Sequence, residues 1–226
     1  MKREVVTCAL AAFAVAAVVS AQAPKPGMQS DPDKNMKGGG LPAGWMARLD
    51  SASAKIDAVK FEKVGTGLHV QSGPAGIYYM SSTASTAAVN ISATFTQLEP
   101  AAHPEAYGLF IGGSDLQGAG QKYTYFLIRQ DGKFLIKRRN GADTPNVMPW
   151  TENAAIKKAD ASGKMSNVLA IQADKTTAKF LVNGTEVASL PAAQVDVEGI
   201  TGIRINHNLN VQVDGLRSGA GKPTAE

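Results

Sequence analysis

From Trp45 onward, apolar and polar side chains alternate with a period of two over most of the chain. That is the period of a strand with one face buried and one wet. The cleanest run is Val89-Asn90-Ile91-Ser92-Ala93-Thr94-Phe95-Thr96, which sets Val89, Ile91, Ala93 and Phe95 on one face. Shorter runs over residues 67–71, 76–79, 106–111, 123–130, 133–139, 168–173, 178–182, 185–188, 203–205 and 211–213 read as further strands. No window carries a helical stripe; residues 47–60 and 153–161 have room only for a short helical turn. About ten short strands with regular turn signals predict an all-β, antiparallel sandwich or barrel.

Turn chemistry predicts register, and register assigns faces. Taking Asp131-Gly132 as a two-residue loop pairs Gln130 with Lys133, Ile128 with Leu135 and Phe126 with Lys137. The other face then gathers Arg129 with Phe134, Leu127 with Ile136, and Tyr125 with Arg138, so Tyr123, Tyr125 and Arg138 lie together as a candidate polar-aromatic platform. The Asn183-Gly184 hairpin puts Phe180, Val182 and Val187 on one face, and Lys179 with Glu186 on the other. Near the end, Arg204, Asn206, Asn210, Gln212 and Asp214 alternate with Ile203, Ile205, Val211 and Val213. His207 and Asn208 stand at the bend. Amides, an arginine and a carboxylate on one face suit a hydroxyl-rich ligand. The candidate ligand-binding set is therefore Tyr123, Tyr125, Arg138, Arg204, Asn206 and His207.

The N-terminus follows a different pattern. Lys2 and Arg3 precede an apolar run of about 15 residues, which ends in Ser20-Ala21-Gln22-Ala23. That run is shorter than the roughly 20 residues needed to span a bilayer. It reads as a signal peptide over residues 1–21, predicting a periplasmic or secreted protein with no membrane span after processing. Cys8, the only cysteine, falls inside it, leaving the mature chain without thiol or disulfide. Residues 22–40, rich in proline and closing on Gly38-Gly39-Gly40, read as a disordered spacer. Residues 41–218 form the sandwich domain and 219–226 a disordered tail.

Composition narrows the chemistry further. Hydrophobic residues make up 44% and charged residues 19%, an ordinary globular balance. The net charge of +4 falls to +3 once Lys2, Arg3 and Glu4 are removed, and alternation splits Lys137-Arg138-Arg139 across two faces. Neither fits the concentrated basic footprint of a nucleic-acid binder. There is no Gly-x-Ser-x-Gly elbow, no His-Glu-x-x-His pattern and no phosphate-cradling glycine loop. Asp196 and Glu198 are carboxylates two apart, and at a strand start such a pair reads as solvated. No cofactor is expected; calcium, with Asp115 as its candidate ligand, is the one ion considered.

Several strings resemble a known family. Tyr107-Gly108-Leu109-Phe110 and the run Tyr123-Thr124-Tyr125-Phe126-Leu127-Ile128-Arg129-Gln130-Asp131-Gly132-Lys133-Phe134 are similar to the core of concanavalin A-like and laminin-G-like jelly rolls. Asn167-Val168-Leu169, Phe180-Leu181-Val182-Asn183-Gly184 and Val211-Gln212-Val213-Asp214-Gly215-Leu216 extend the likeness from about Trp45 to Leu216. The nearest group is the bacterial 3-keto-disaccharide hydrolase-like branch. The resemblance implies a two-sheet jelly roll, export, and carbohydrate as the commonest ligand class, bound on the concave sheet. Related glycosidases carry a Glu-x-Asp-x-x-Glu strand, which this chain lacks. The expectation is a non-catalytic carbohydrate-binding module of the cell envelope. The alternatives are a glycoside hydrolase for modified 3-keto disaccharides and a structural or protein-interaction domain.

Overall fold

The structure, a computed structural model, describes residues 31–86 and 88–219. The predicted signal peptide, spacer residues 22–30 and all of the tail beyond Gly219 lie outside the described residues. Fourteen strands form two seven-stranded sheets. The first comprises β2 (Lys60–Val64), β3 (Gly67–Gln71), β5 (Val89–Gln97), β10 (Met165–Ala173), β11 (Thr177–Val182), β12 (Thr185–Pro191) and β14 (Asn210–Gly219), in the order β12-β11-β10-β5-β14-β3-β2. The second comprises β1 (Met46–Leu49), β4 (Gly76–Tyr79), β6 (Ala106–Ser114), β7 (Lys122–Arg129), β8 (Lys133–Asn140), β9 (Asn146–Glu152) and β13 (Ile200–Ile205), in the order β1-β4-β13-β6-β7-β8-β9. Every strand pairing is antiparallel. The expected jelly-roll sandwich is the observed fold.

The predicted alternation builds the interior. Val89, Ile91, Ala93 and Phe95 of β5 are all buried and face Tyr107, Leu109 and Ile111 of β6 in one continuous core. Aromatic contacts cross between the sheets: Phe95 stacks on Tyr107 at 5.6 Å, and Phe126 meets Phe180 edge-on at 5.4 Å. The Asn183-Gly184 turn forms as expected, with both residues at positive φ (51° and 81°) and Val182 opposite Thr185. Lys179 and Glu186 pair at 3.1 Å on its wet face. A bulge beyond Leu181 sets Phe180 against Ala188 rather than Val187.

Two expectations about faces are corrected. The β7–β8 hairpin turns through three residues, because Gly132 takes φ 84° and its N–H bonds back to the Arg129 carbonyl at 3.1 Å. Every pair therefore shifts by one: Tyr125 lies opposite Lys137, Tyr123 opposite Arg139 and Thr124 opposite Arg138. Arg138 leaves the tyrosines and turns to the opposite face. The second correction concerns the last strands. β13 joins the second sheet and β14 the first, with Ile203, Ile205, Val211 and Val213 meeting inside the sandwich. Arg204 and Gln212 consequently point away from each other, out of opposite sheets.

Part of the predicted spacer is held in place. The Gly38 N–H bonds the Asp57 carbonyl at 2.7 Å, the Met36 N–H bonds Ala58 at 3.3 Å, and Gly40 bridges Lys60 in parallel. These are backbone contacts, which leave no apolar period in the sequence.

Candidate functional site

The outward face of the second sheet carries its own buried cluster, which includes Ile77, Tyr79, Phe110, Tyr123, Tyr125, Leu127 and Leu135. Arg204 lies among them, 7% exposed. In the ladder Arg204 stands opposite Gly108, and Gly108 opposite Leu127. A Cβ at Gly108 would collide with the Phe126 carbonyl and meet the Leu169 side chain, so this position admits no side chain. The Arg204 guanidinium sits 4.9 Å over the ring of Tyr125, and Nη1 reaches the Tyr123 hydroxyl at 3.4 Å. Asp50, just beyond β1, closes a two-pronged pair, with Nη1 donating to Oδ1 at 2.9 Å and Nη2 to Oδ2 at 2.5 Å. The Asp50 side chain keeps 36% exposure, so the pair runs from a buried cation to a carboxylate at the surface.

Electrostatics follow from that arrangement. Burial alone would push the Asp50 carboxyl up, but the hydrogen bonds and charge of Arg204 hold it below the ordinary value. Burial pushes the Tyr125 hydroxyl up to about 12, against the pull of Arg204. The site therefore keeps one cation, one anion and neutral phenols across the physiological range.

Neighbouring elements frame the face. Leu116, in the β6–β7 loop, packs into the outward cluster. Gln117 donates to the Tyr79 hydroxyl at 2.7 Å and to the Ala47 carbonyl at 3.0 Å, while Arg48 donates to the Gln117 carbonyl at 2.7 Å. On the far edge strand β9, Trp150 is 37% exposed, with the Arg129 guanidinium 4.5 Å over its ring. Asp131 fixes that arginine through two 2.7 Å hydrogen bonds.

The structure thus brings Tyr123, Tyr125 and Arg204 together and separates the other candidates. Arg138 forms a two-pronged pair with Asp196, Nη2 to Oδ1 at 2.6 Å and Nε to Oδ2 at 3.0 Å, and Thr124 donates to the same carboxylate. Asp196, expected to be solvated, is the partner of Arg138. Asn206 and His207 belong to a loop at one end of the sandwich, where Asn206 donates to Glu105 at 3.2 Å. Asp115, at φ 47°, accepts the Gly120 N–H at 3.0 Å within its own loop.

His207 lies between two carboxylates, Nε2 to Glu105 at 2.8 Å and Nδ1 to Asp33 at 3.1 Å. Burial opposes its charge, but Glu105 and then Asp33 raise its pKa above the ordinary value. Only the imidazolium can donate to both acceptors. Because the folded pKa is the higher one, this contribution is complete below about 6.5 and is lost as pH rises through the folded value. Asp33 belongs to the strip over residues 31–40, whose Lys34 N–H bonds Asn208 at 2.8 Å. Protection of the Lys34 amide from hydrogen exchange, corrected for intrinsic rate, is expected to fall above neutral pH. In His207→Gln it is expected to be lower and flat with pH. Equal pH profiles for the two proteins would refute this role.

Asp50 and Trp150 were not foreseen. Both depend on edge strands, β1 and β9, that the alternation did not reveal; β9 contains Pro149, which reads against a strand.

No protein-family model matches the chain, and neither does any curated protein. Solved structures do resemble it. The carbohydrate-binding module CBM66 from Bacillus subtilis superposes with a TM-score of 0.57 at 10% identity, covering 77% of this chain and 94% of that one. A glycoside hydrolase family 16 endo-glucanase from Bacteroides ovatus gives 0.55 at 9% identity over 77% and 94% of the chains. The carbohydrate recognition domain of Emp46p gives 0.52 at 9% identity over 77% and 87%. At such identities the likeness concerns the fold alone, and that fold is an antiparallel two-sheet jelly-roll sandwich.

Proposed function

We propose that this protein is an exported, non-catalytic carbohydrate-binding module that takes its ligand on the outward face of the second sheet. The observation that carries the reading is the ordered group Tyr125–Arg204–Asp50 on that face, with exposed Trp150 on the same side. A sugar ring can stack on an indole, and its hydroxyl pairs can be met by a carboxylate and by guanidinium N–H groups. Fold neighbours that include a carbohydrate-binding module and a carbohydrate recognition domain support the ligand class.

The test is calorimetric titration of the purified domain against neutral and acidic oligosaccharides. Trp150→Ala is expected to weaken the recognised glycan by about tenfold. Its melting temperature should change little, because Trp150 lies outside both buried clusters. No binding to any glycan would overturn the reading. Turnover of a 3-keto-glucoside would assign the chain to the hydrolase-like branch instead.

A further inference from the structure

We propose that the saccharide bound on this face carries a fixed anionic group, met by Lys137 and Arg139. This rests on the carbohydrate-binding reading and adds the class of sugar.

The β7–β8 register places Lys137 opposite Tyr125 and Arg139 opposite Tyr123. Both cations therefore rise from the outward face, beside the tyrosines that Arg204 engages, while Arg138 between them turns inward to Asp196. The charge of Arg139 and that of Arg48 both reach Asp50, lowering its carboxyl pKa after the larger effects of burial and Arg204. Four cations, Arg48, Lys137, Arg139 and Arg204, thus share one region with the carboxylate of Asp50.

That carboxylate is already held by Arg204 in two-pronged geometry. Among the described residues, neither Lys137 nor Arg139 forms an ion pair. The Nε of Arg139 is buried without a hydrogen-bond partner, and so is the Nε of Arg204. Donors withdrawn from water without an acceptor are costly, and adjacent like charges repel. A neutral sugar would leave that repulsion in place. An anionic group would relieve it, because a guanidinium and an ammonium beside aromatic rings offer charge-assisted hydrogen bonds to carboxylate or sulfate oxygens. The molecule as a whole is only mildly basic, at +4, so this local excess comes from placement and not from composition.

The experiment titrates the purified domain with three probes: an oligo-galacturonate, a sulfated oligosaccharide and a neutral β-glucan oligosaccharide. Each is run at about 20 mM and about 500 mM salt. Binding to the galacturonate or the sulfated probe, weakened by salt, is expected, and the two arms separate carboxylate from sulfate recognition. Lys137→Gln and Arg139→Gln should each weaken that binding by about tenfold. Lys137→Gln removes a half-buried surface side chain, and melting curves of both variants exclude unfolding as the cause. Binding to the neutral glucan alone, or acidic binding unchanged in both variants, overturns the proposal and leaves the carbohydrate reading standing. Silence from all three probes overturns both.

Discussion

Phe126→Ala is expected to remove about 3–5 kcal/mol of stability. Phe126 is fully buried on the inner face of β7 and touches rings on two sides, Phe134 at 6.0 Å and Phe180 at 5.4 Å. The second contact crosses the sandwich from β11 of the other sheet, so the alanine leaves a cavity between the layers that neither backbone can close. Urea unfolding should show a lower midpoint with an unchanged slope. Phe126→Leu refills most of the volume and should lose less than half as much. Equal losses in the two variants would show that the ring contacts, and not the filled volume, carry the energy. The effect extends to the proposed ligand face, since Phe126 lies between Tyr125 and Leu127 on the same strand. Looser packing beneath them should reduce glycan affinity even in the folded fraction.

The strands with one wet face were legible in the sequence because burial on a single face writes a period of two into it. β5 is the clearest instance, with its four inner residues all at 2% exposure or less. β1, β2 and β9 were not legible. The first two lie at sheet edges among charged residues, and β9 contains a proline. Edge strands bury less, so their residues are under weaker pressure to alternate. The β7–β8 register failed for a different reason. Asp-Gly is compatible with both a two-residue turn and a three-residue turn with a bulge. What distinguishes them is the left-handed conformation of Gly132 together with closure onto Arg129.

That one-residue shift decided the site. A platform of Tyr123, Tyr125 and Arg138 became one of Tyr123, Tyr125, Lys137 and Arg139, because adjacent residues on a strand face opposite ways. Tyr123, Tyr125 and Arg204 did meet on one face, though Arg204 arrives from β13, two strands away from β7. Local periodicity states which residues point outward, not which sheet they leave. For the same reason Arg204 and Gln212, aligned in the sequence pattern, sit on opposite sides of the molecule. Asp50 left no trace in the sequence, since its role exists only through an ion pair 154 residues away in the chain.

Asp50→Asn is expected to destabilise the fold by about 2 kcal/mol. Stripping a buried charge of its partner costs about 3–5 kcal/mol when both groups are fully enclosed. Here Asp50 is 36% exposed, so water reaches the vacated position and recovers part of the loss. Arg204 has no comparable relief, being 7% exposed with its Nε already unpartnered. Arg204→Met is expected to be milder, about 1 kcal/mol or less, because a flexible apolar chain suits the tyrosine and leucine surroundings while Asp50 turns to solvent. The double variant separates these contributions. If the aspartate acts only by neutralising the arginine, adding Asp50→Asn to Arg204→Met should cost almost nothing, giving a coupling of about 1.5–2 kcal/mol in urea unfolding. Strictly additive losses would mean that the two side chains act independently, and the ion pair would then carry no stability. Glycan affinity should follow the opposite logic. Arg204→Met frees Asp50 to repel an anionic sugar, so the variant that folds better should bind it worse.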